Sequence, residues 1–234
     1  MKFSIPFFVI TGLALASCSS SGTSGNVTIK GASSSSSAVK VLGAADPSYL
    51  KVKVYKFAVS TNADCSSPIT VLEDSDGVEK DFFSNPKLGA GDIDPGTYPC
   101  VMFETSDILK FKTIGSAGAA CEANTEYELE ICRADGGSGQ LIDGTAFTCT
   151  SGEQRIAFYV STNSSSTGGG EGTNAFTPPT SAGDATHGIN LASALTIAVG
   201  GTATFVMDGS GTVDTNGSDC DMQPPAFSFS YTED

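Results

Sequence analysis

Apolar and polar residues alternate in short runs along most of the chain, and helical spacing is scarce. A period of two marks strands with one face buried and one exposed. The cleanest run is Arg155 to Val160, with Ile156, Phe158 and Val160 against Arg155, Ala157 and Tyr159. Tyr127, Leu129 and Ile131 oppose Glu126, Glu128, Glu130 and Cys132, which predicts a half-exposed antiparallel strand with Cys132 on its outer face. Leu50 to Ser60 is the longest strand of the first half. Its inward phase runs Leu50, Val52, Val54 and then Tyr55, Phe57, Val59, because Lys56 falls where an apolar side chain is due. A slip of one residue reverses the faces, so the pattern predicts a β-bulge near Tyr55-Lys56. Asn26–Lys30, Ala38–Leu42, Ile69–Leu72 and Ile108–Ile114 supply further strands, and Phe227, Phe229 and Tyr231 alternate through a last one. Leu195 to Met207 predicts a hairpin with a loop at Val199–Gly201, a register that sets Ile197 opposite Ala203 and Leu195 opposite Phe205.

Between the runs lie segments with turn chemistry. Ser33 to Ser37 reads as a loop. Residues 163–188 break the alternation with Ser-Ser-Ser, Gly-Gly-Gly and Pro-Pro. Structureless loops of that length are either functional or disordered, and a mobile surface loop is the first expectation, an ordered binding loop the second. Too few strands follow it for a separate core, so residues 26–234 are expected to form a single domain.

Ile93-Asp94-Pro95-Gly96-Thr97-Tyr98-Pro99-Cys100 is the stretch around which the strands are organised. Pro95 fixes φ and Gly96 tolerates a sharp turn before the chain extends again. The spacing Asp94-x-Gly96-x-Tyr98-x-Cys100 resembles the tyrosine corner of immunoglobulin-like sandwiches, in which the hydroxyl bonds back to upstream backbone. Ile-x-Pro-Gly-x-Tyr ahead of an apolar strand also resembles transthyretin-like domains of the carboxypeptidase regulatory type. Either resemblance implies two packed antiparallel sheets. The predicted fold is an all-β sandwich, immunoglobulin-like or transthyretin-like, stabilised by disulfides. The likeness to antibody domains stops at the corner: Trp is absent, and Cys65 lies too near Cys100 for the usual bridge between sheets.

Lys2, the mostly apolar Phe3–Ala16 and the small residues before Cys18 have the layout of a cleaved targeting segment. The apolar run is too short for a spanning helix. Leu15-Ala16-Ser17-Cys18 resembles the lipobox of bacterial lipoproteins. That resemblance implies removal of residues 1–17, a diacylglyceryl group on the Cys18 thiol, and acyl chains that hold the protein on a membrane. Ser19 rather than Asp after the Cys implies the outer membrane of a Gram-negative envelope, facing the periplasm or the exterior. An ordinary signal peptide with an incidental Cys18 is the alternative. Residues 18–25, rich in Ser, Gly and Thr, then form a flexible tether.

Charge and cysteine usage narrow the function classes. The formal net charge is −14, from 26 acidic and 12 basic residues. Such a surface repels nucleic acid and anionic headgroups, which leaves the acyl chains to bind the membrane and makes nucleic acid an unsuitable partner. After Cys18 six cysteines remain, at 65, 100, 121, 132, 149 and 220, an even set that in an oxidising compartment reads as three disulfides. Fifteen pairings are open from sequence alone. The arrangement chosen here is Cys65 with Cys100, Cys132 with Cys149 across neighbouring strands, and Cys121 with Cys220.

Two acidic segments invite a cation. Asp74, Asp76 and Glu79 sit on an expected tight turn after the strand ending at Leu72, and Asp214, Asn216, Asp219 and Asp221 lie in a Gly-rich segment. Both carry fragments of calcium-loop chemistry without the bidentate Glu of an EF-hand. No nucleophile elbow, zinc-protease pair or phosphate loop occurs, and the single His187 lies in a Gly-rich loop. The expected function is therefore a non-catalytic, lipid-anchored structural or interaction module with an unidentified protein or glycan partner and no cofactor. A calcium-dependent adhesive domain and a carboxylate-based hydrolase are the alternatives.

Overall fold

The computed structural model describes residues 26–32, 45–84, 93–133, 137–169, 172–199 and 202–232. The targeting segment, the 18–25 tether, the Ser33–Ser37 run and the strand expected at Ala38–Leu42 lie outside them. The strands in chain order are β1 (Asn26–Ala32), β2 (Pro47–Ser60), β3 (Ile69–Asp81), β4 (Gly96–Tyr98), β5 (Cys100–Thr113), β6 (Glu126–Glu130), β7 (Ser138–Gln140) and β8 (Ala146–Thr148). They continue as β9 (Arg155–Ser161), β10 (Ile189–Asn190), β11 (Leu195–Ile197), β12 (Thr202–Asp208), β13 (Val213–Asn216), β14 (Asp219–Met222) and β15 (Ala226–Thr232). Among the described residues the only helical piece is a short 3-10 turn, Phe82–Ser84, and no helix is long and apolar enough to cross a membrane.

Two sheets face each other. One runs β10-β9-β5-β2-β3 with β6 paired to the far half of β5, and the other runs β1-β12-β15. The long strand β5 is the spine of the larger sheet, pairing with β2 throughout, with β9 from Cys100 to Ser106 and with β6 from Ile108 to Lys112. Phe103 of β5 meets Phe205 of β12 with ring centroids 5.2 Å apart, and Phe57 and Phe82 close around Phe103 at 5.0 and 6.4 Å. This aromatic cluster joins the inner faces of the sandwich. The all-β sandwich expected from the alternation is the fold observed, with parallel β1–β12 and β9–β10 pairs added to the antiparallel ladders.

The corner forms as the spacing predicts: Tyr98 is buried and its hydroxyl donates to the Asp94 carbonyl over 2.6 Å. Tyr98→Phe is expected to lose about 1 kcal/mol of stability, the net value of one such bond, read as a lower urea midpoint at unchanged slope. The bulge is also present. Pairing of β2 shifts register between Val54 and Lys56 on both of its neighbours. Val54, Phe57 and Val59 are fully buried, so the inward phase resumes at Phe57. Tyr55, expected to point inward, instead lies under the Arg155 guanidinium at 4.8 Å. The bulge therefore leaves two residues outside rather than one.

Several expectations are corrected. The strand expected to stop at Leu72 runs on to Asp81 because the acidic segment is absorbed as an irregularity of β3. Asp74 Oδ1 accepts the backbone N–H groups of Asp76 and Gly77, and Gly77 takes φ of +70° where an added Cβ would stand 2.7 Å from Lys53 and Tyr55 side-chain carbons. Leu195–Met207 is not a hairpin: β11 pairs with β4, setting Leu195 opposite Tyr98, while β12 pairs with β1 and β15. Leu195, Ile197, Ala203 and Phe205 all point into one core, as expected, but from different ladders. Alternation fixes which side chains go in; it does not fix the partner strand.

The three disulfides are Cys65–Cys100, Cys121–Cys220 and Cys132–Cys149, with Cα separations of 5.3, 4.9 and 5.0 Å. Cys132 is not on an outer face. It follows the end of β6, Cys149 follows the end of β8, and the bridge is buried against Ile156. β6 and β8 are not neighbours, since they pair with β5 and β7 respectively. The Asp208–Asp221 segment, expected to be irregular, contributes the β13–β14 hairpin.

Candidate functional site: an apolar cleft between the sheets

Three strands cannot cover six, and the uncovered part of the larger sheet floors a cavity of about 360 Å3. Val52, Thr105, Leu109, Leu129, Phe158 and Val160 supply the floor from β2, β5, β6 and β9. Leu109 and Leu129 are direct cross-strand partners, which places an apolar pair within the β5–β6 ladder on the cleft floor. Met207 and Phe227 roof it from the smaller sheet, and Met222 to Pro225 on one side and Gly168, Gly169 and Thr173 to Phe176 on the other close the sides. These two segments touch: an added Cβ at Gly169 would stand 2.6 Å from Pro224 Cδ. The volume falls in the roughly 300–1,000 Å3 range of small-molecule pockets.

The lining is apolar with few polar groups, and among the described residues none that lines it is charged. One polar atom is out of place. Thr105 is 3% exposed, lines the cavity, and its Oγ1 has no hydrogen-bond partner. An unpaired buried hydroxyl costs about 1–3 kcal/mol, which a valine of the same shape avoids. Two residues on, Asp107 is fully buried; its Oδ1 accepts the Gln154 N–H over 2.8 Å and its Oδ2 has no partner. Burial pushes the Asp107 carboxyl above the usual carboxylate range. These residues belong to the run Glu104-Thr105-Ser106-Asp107, buried throughout, between Phe103 and Ile108 of the same strand. Four polar residues inside a long strand are the signal that was available.

The opposite face of the larger sheet is also covered. Tyr159 and Ala157, expected to face outward, are buried with Ile142 and the Cys65–Cys100 bridge, and burial pushes the Tyr159 phenol up to about 12. Glu104, 2% exposed, pairs with Arg155 and accepts the Ile142 N–H over 2.8 Å. Further along that face Lys51, Lys53 and Lys110 alternate with Glu79, Glu128, Glu130 and Glu153 in an open groove. Lys53 Nζ lies 2.7 Å from Glu153, and that hydrogen bond holds the Glu153 carboxyl below its ordinary value. An ion-paired, solvated carboxylate of this kind is a poor proton donor.

In the segment 163–188, first expected to be mobile, the described residues around Asp184 are held by a network of hydrogen bonds. Asp184 accepts from the backbone N–H groups of Thr180, Thr186 and His187 and from the Thr180 and Thr186 hydroxyls. These bonds, the backbone ones foremost, hold its carboxyl far below the usual range. His187 Nδ1 lies 3.0 Å from both Asp184 Oδ2 and Thr186 Oγ1, so the lone imidazole is engaged in pinning this segment. Asp184→Ala is expected to speed amide exchange at Thr180, Thr186 and His187 on the order of tenfold, measured by hydrogen–deuterium exchange.

The acidic segments do not assemble. Asp214 pairs across the hairpin with Asp221 and Asn216 with Asp219, while Asp221 also accepts the Met222 N–H and approaches Arg133 at 4.0 Å. Asp74 is spent on its own backbone turn, and Glu79 lies opposite Lys53 in the β2–β3 ladder. Among the described residues no three His, Cys, Asp or Glu side chains converge as a cation site. In comparisons with known proteins, no family model, no curated protein and no solved structure matches the chain.

Proposed function

We propose that the protein is a non-catalytic, lipid-anchored binding module of the outer membrane whose disulfide-linked sandwich takes up a small apolar ligand in the cleft between its sheets. The carrying observation is the cleft itself, of about 360 Å3, lined by side chains of both sheets and by no charged residue among those described. Such a lining supplies binding by apolar burial and lacks the carboxylate, imidazole or thiol that acid–base or nucleophilic catalysis requires. The acyl chains implied at Cys18 supply the membrane attachment. The tether of residues 18–25 spans up to roughly 28 Å when extended, enough to let the folded body stand clear of the bilayer.

Uptake of Nile red, a neutral dye that brightens in apolar surroundings, tests the cleft. The wild type and Lys110→Ala, on the outer face, are expected to bind it, and Leu129→Phe with Leu109→Phe, which fills the floor, is expected to bind at least roughly tenfold more weakly. Equal uptake by the filled variant contradicts the reading. The anchor is tested separately by Cys18→Ser, which is expected to move the protein from the membrane fraction to the soluble one.

A further inference from the structure

Resting on the cleft as a binding site, we infer that its ligand is a neutral lipid whose single acyl chain lies along the floor and whose carbonyl oxygen accepts a hydrogen bond from Thr105. Three observations carry this. The cleft offers no cation to a carboxylate or phosphate among the described residues, and the chain as a whole carries a net charge of −14. An anionic lipid therefore meets repulsion on approach and an uncompensated desolvation cost on entry.

A pure hydrocarbon is not the best fit either. Among the described residues Thr105 is the one on the floor whose side-chain hydroxyl is buried and unpaired, and it stands between the apolar Phe103 and Leu109 on the same strand. A ligand that places an acceptor there removes an existing penalty, whereas a hydrocarbon leaves it in place. The polar residues of the side segments do not compete for this role. Asn174 spends its amide on Ser138 O and Phe176 N, and the Gln223 side chain is exposed. Apolar walls on either side of one donor select a molecule that is greasy along its length with an oxygen inside the apolar run. An ester of a fatty acid with a neutral alcohol has this form.

Displacement of Nile red by 1-lauroylglycerol and by laurate, which share one acyl chain and differ in charge, tests the inference. 1-Lauroylglycerol is expected to bind the wild type at least roughly tenfold more tightly than laurate. Thr105→Val is expected to weaken 1-lauroylglycerol roughly five- to tenfold while melting no lower than the wild type, since it removes the unpaired hydroxyl, and Thr105→Ser is expected to restore the affinity. Laurate binding as tightly as its glycerol ester, or Thr105→Val binding the ester as the wild type does, overturns the inference and leaves the cleft intact as an apolar site. Nile red that binds and is displaced by neither lipid also overturns it. A wild type that takes up no Nile red instead removes the cleft reading on which it rests.

Discussion

Replacing both Cys121 and Cys220 by serine is expected to lower the unfolding free energy by about 4.7 kcal/mol, the largest loss among the three disulfides. The bridge closes a loop with a sequence separation of 99, against 35 for Cys65–Cys100 and 17 for Cys132–Cys149. A cross-link acts by removing freedom from the unfolded chain, and that freedom grows with the logarithm of loop length. The same relation gives about 3.8 and 3.1 kcal/mol for the shorter loops. Cys121–Cys220 also ties the turn after β5 to the β13–β14 hairpin, so its loss separates elements far apart in sequence. Urea unfolding of the three double-serine variants under non-reducing conditions checks the order. A Cys132–Cys149 variant less stable than the Cys121–Cys220 one contradicts it.

Phe205→Ala is expected to cost about 3–5 kcal/mol. Phe205 is fully buried on β12 and its ring meets Phe103 at 5.2 Å across the sandwich, with Phe227 at 5.4 Å and Phe229 at 4.9 Å beside it on β15. Truncation opens a void at the point where the two sheets touch, and the surrounding rings belong to strands that cannot move independently to fill it. Val199→Ala, at 63% exposed, is expected to change stability by less than about 0.5 kcal/mol. Equal midpoints for the two variants in thermal or urea unfolding mean that the sheets do not pack through Phe205.

How much of this was legible in the sequence depends on whether the signal was local. The tyrosine corner and the bulge at Tyr55-Lys56 were readable because each is written in a few consecutive residues with a fixed steric consequence. The pairing chosen for the six cysteines is the pairing seen. Partner choice between strands was not readable where alternation alone was available. The Leu195–Met207 run carries the right inward residues, yet β11 pairs with β4 while β12 lies between β1 and β15. The Asp74–Gly77 segment looked like the end of a strand because its carboxylate-to-backbone bonds are those of a turn, and β3 accommodates that turn without ending.

The cleft was the least legible feature. Its walls come from Val52, Leu129, Val160, Met207 and Phe227, residues that only the three-dimensional arrangement brings together, and each reads in sequence as ordinary core. Only Thr105, within the buried polar run Glu104–Asp107, marked the place, as a hydroxyl among apolar lining residues. His187, which the sequence places in a Gly-rich loop, lies against Asp184 and Thr186, with Nδ1 within 3.0 Å of both.

Methyl-labelled NMR during titration with 1-lauroylglycerol tests the cleft most directly. Shifts are expected at Leu50, Leu109, Leu129, Ile131, Val160 and Ile189, which line it. Shifts confined to the exposed Ile69, Val78, Ile114 and Val199, or no shifts at saturating lipid, contradict the account.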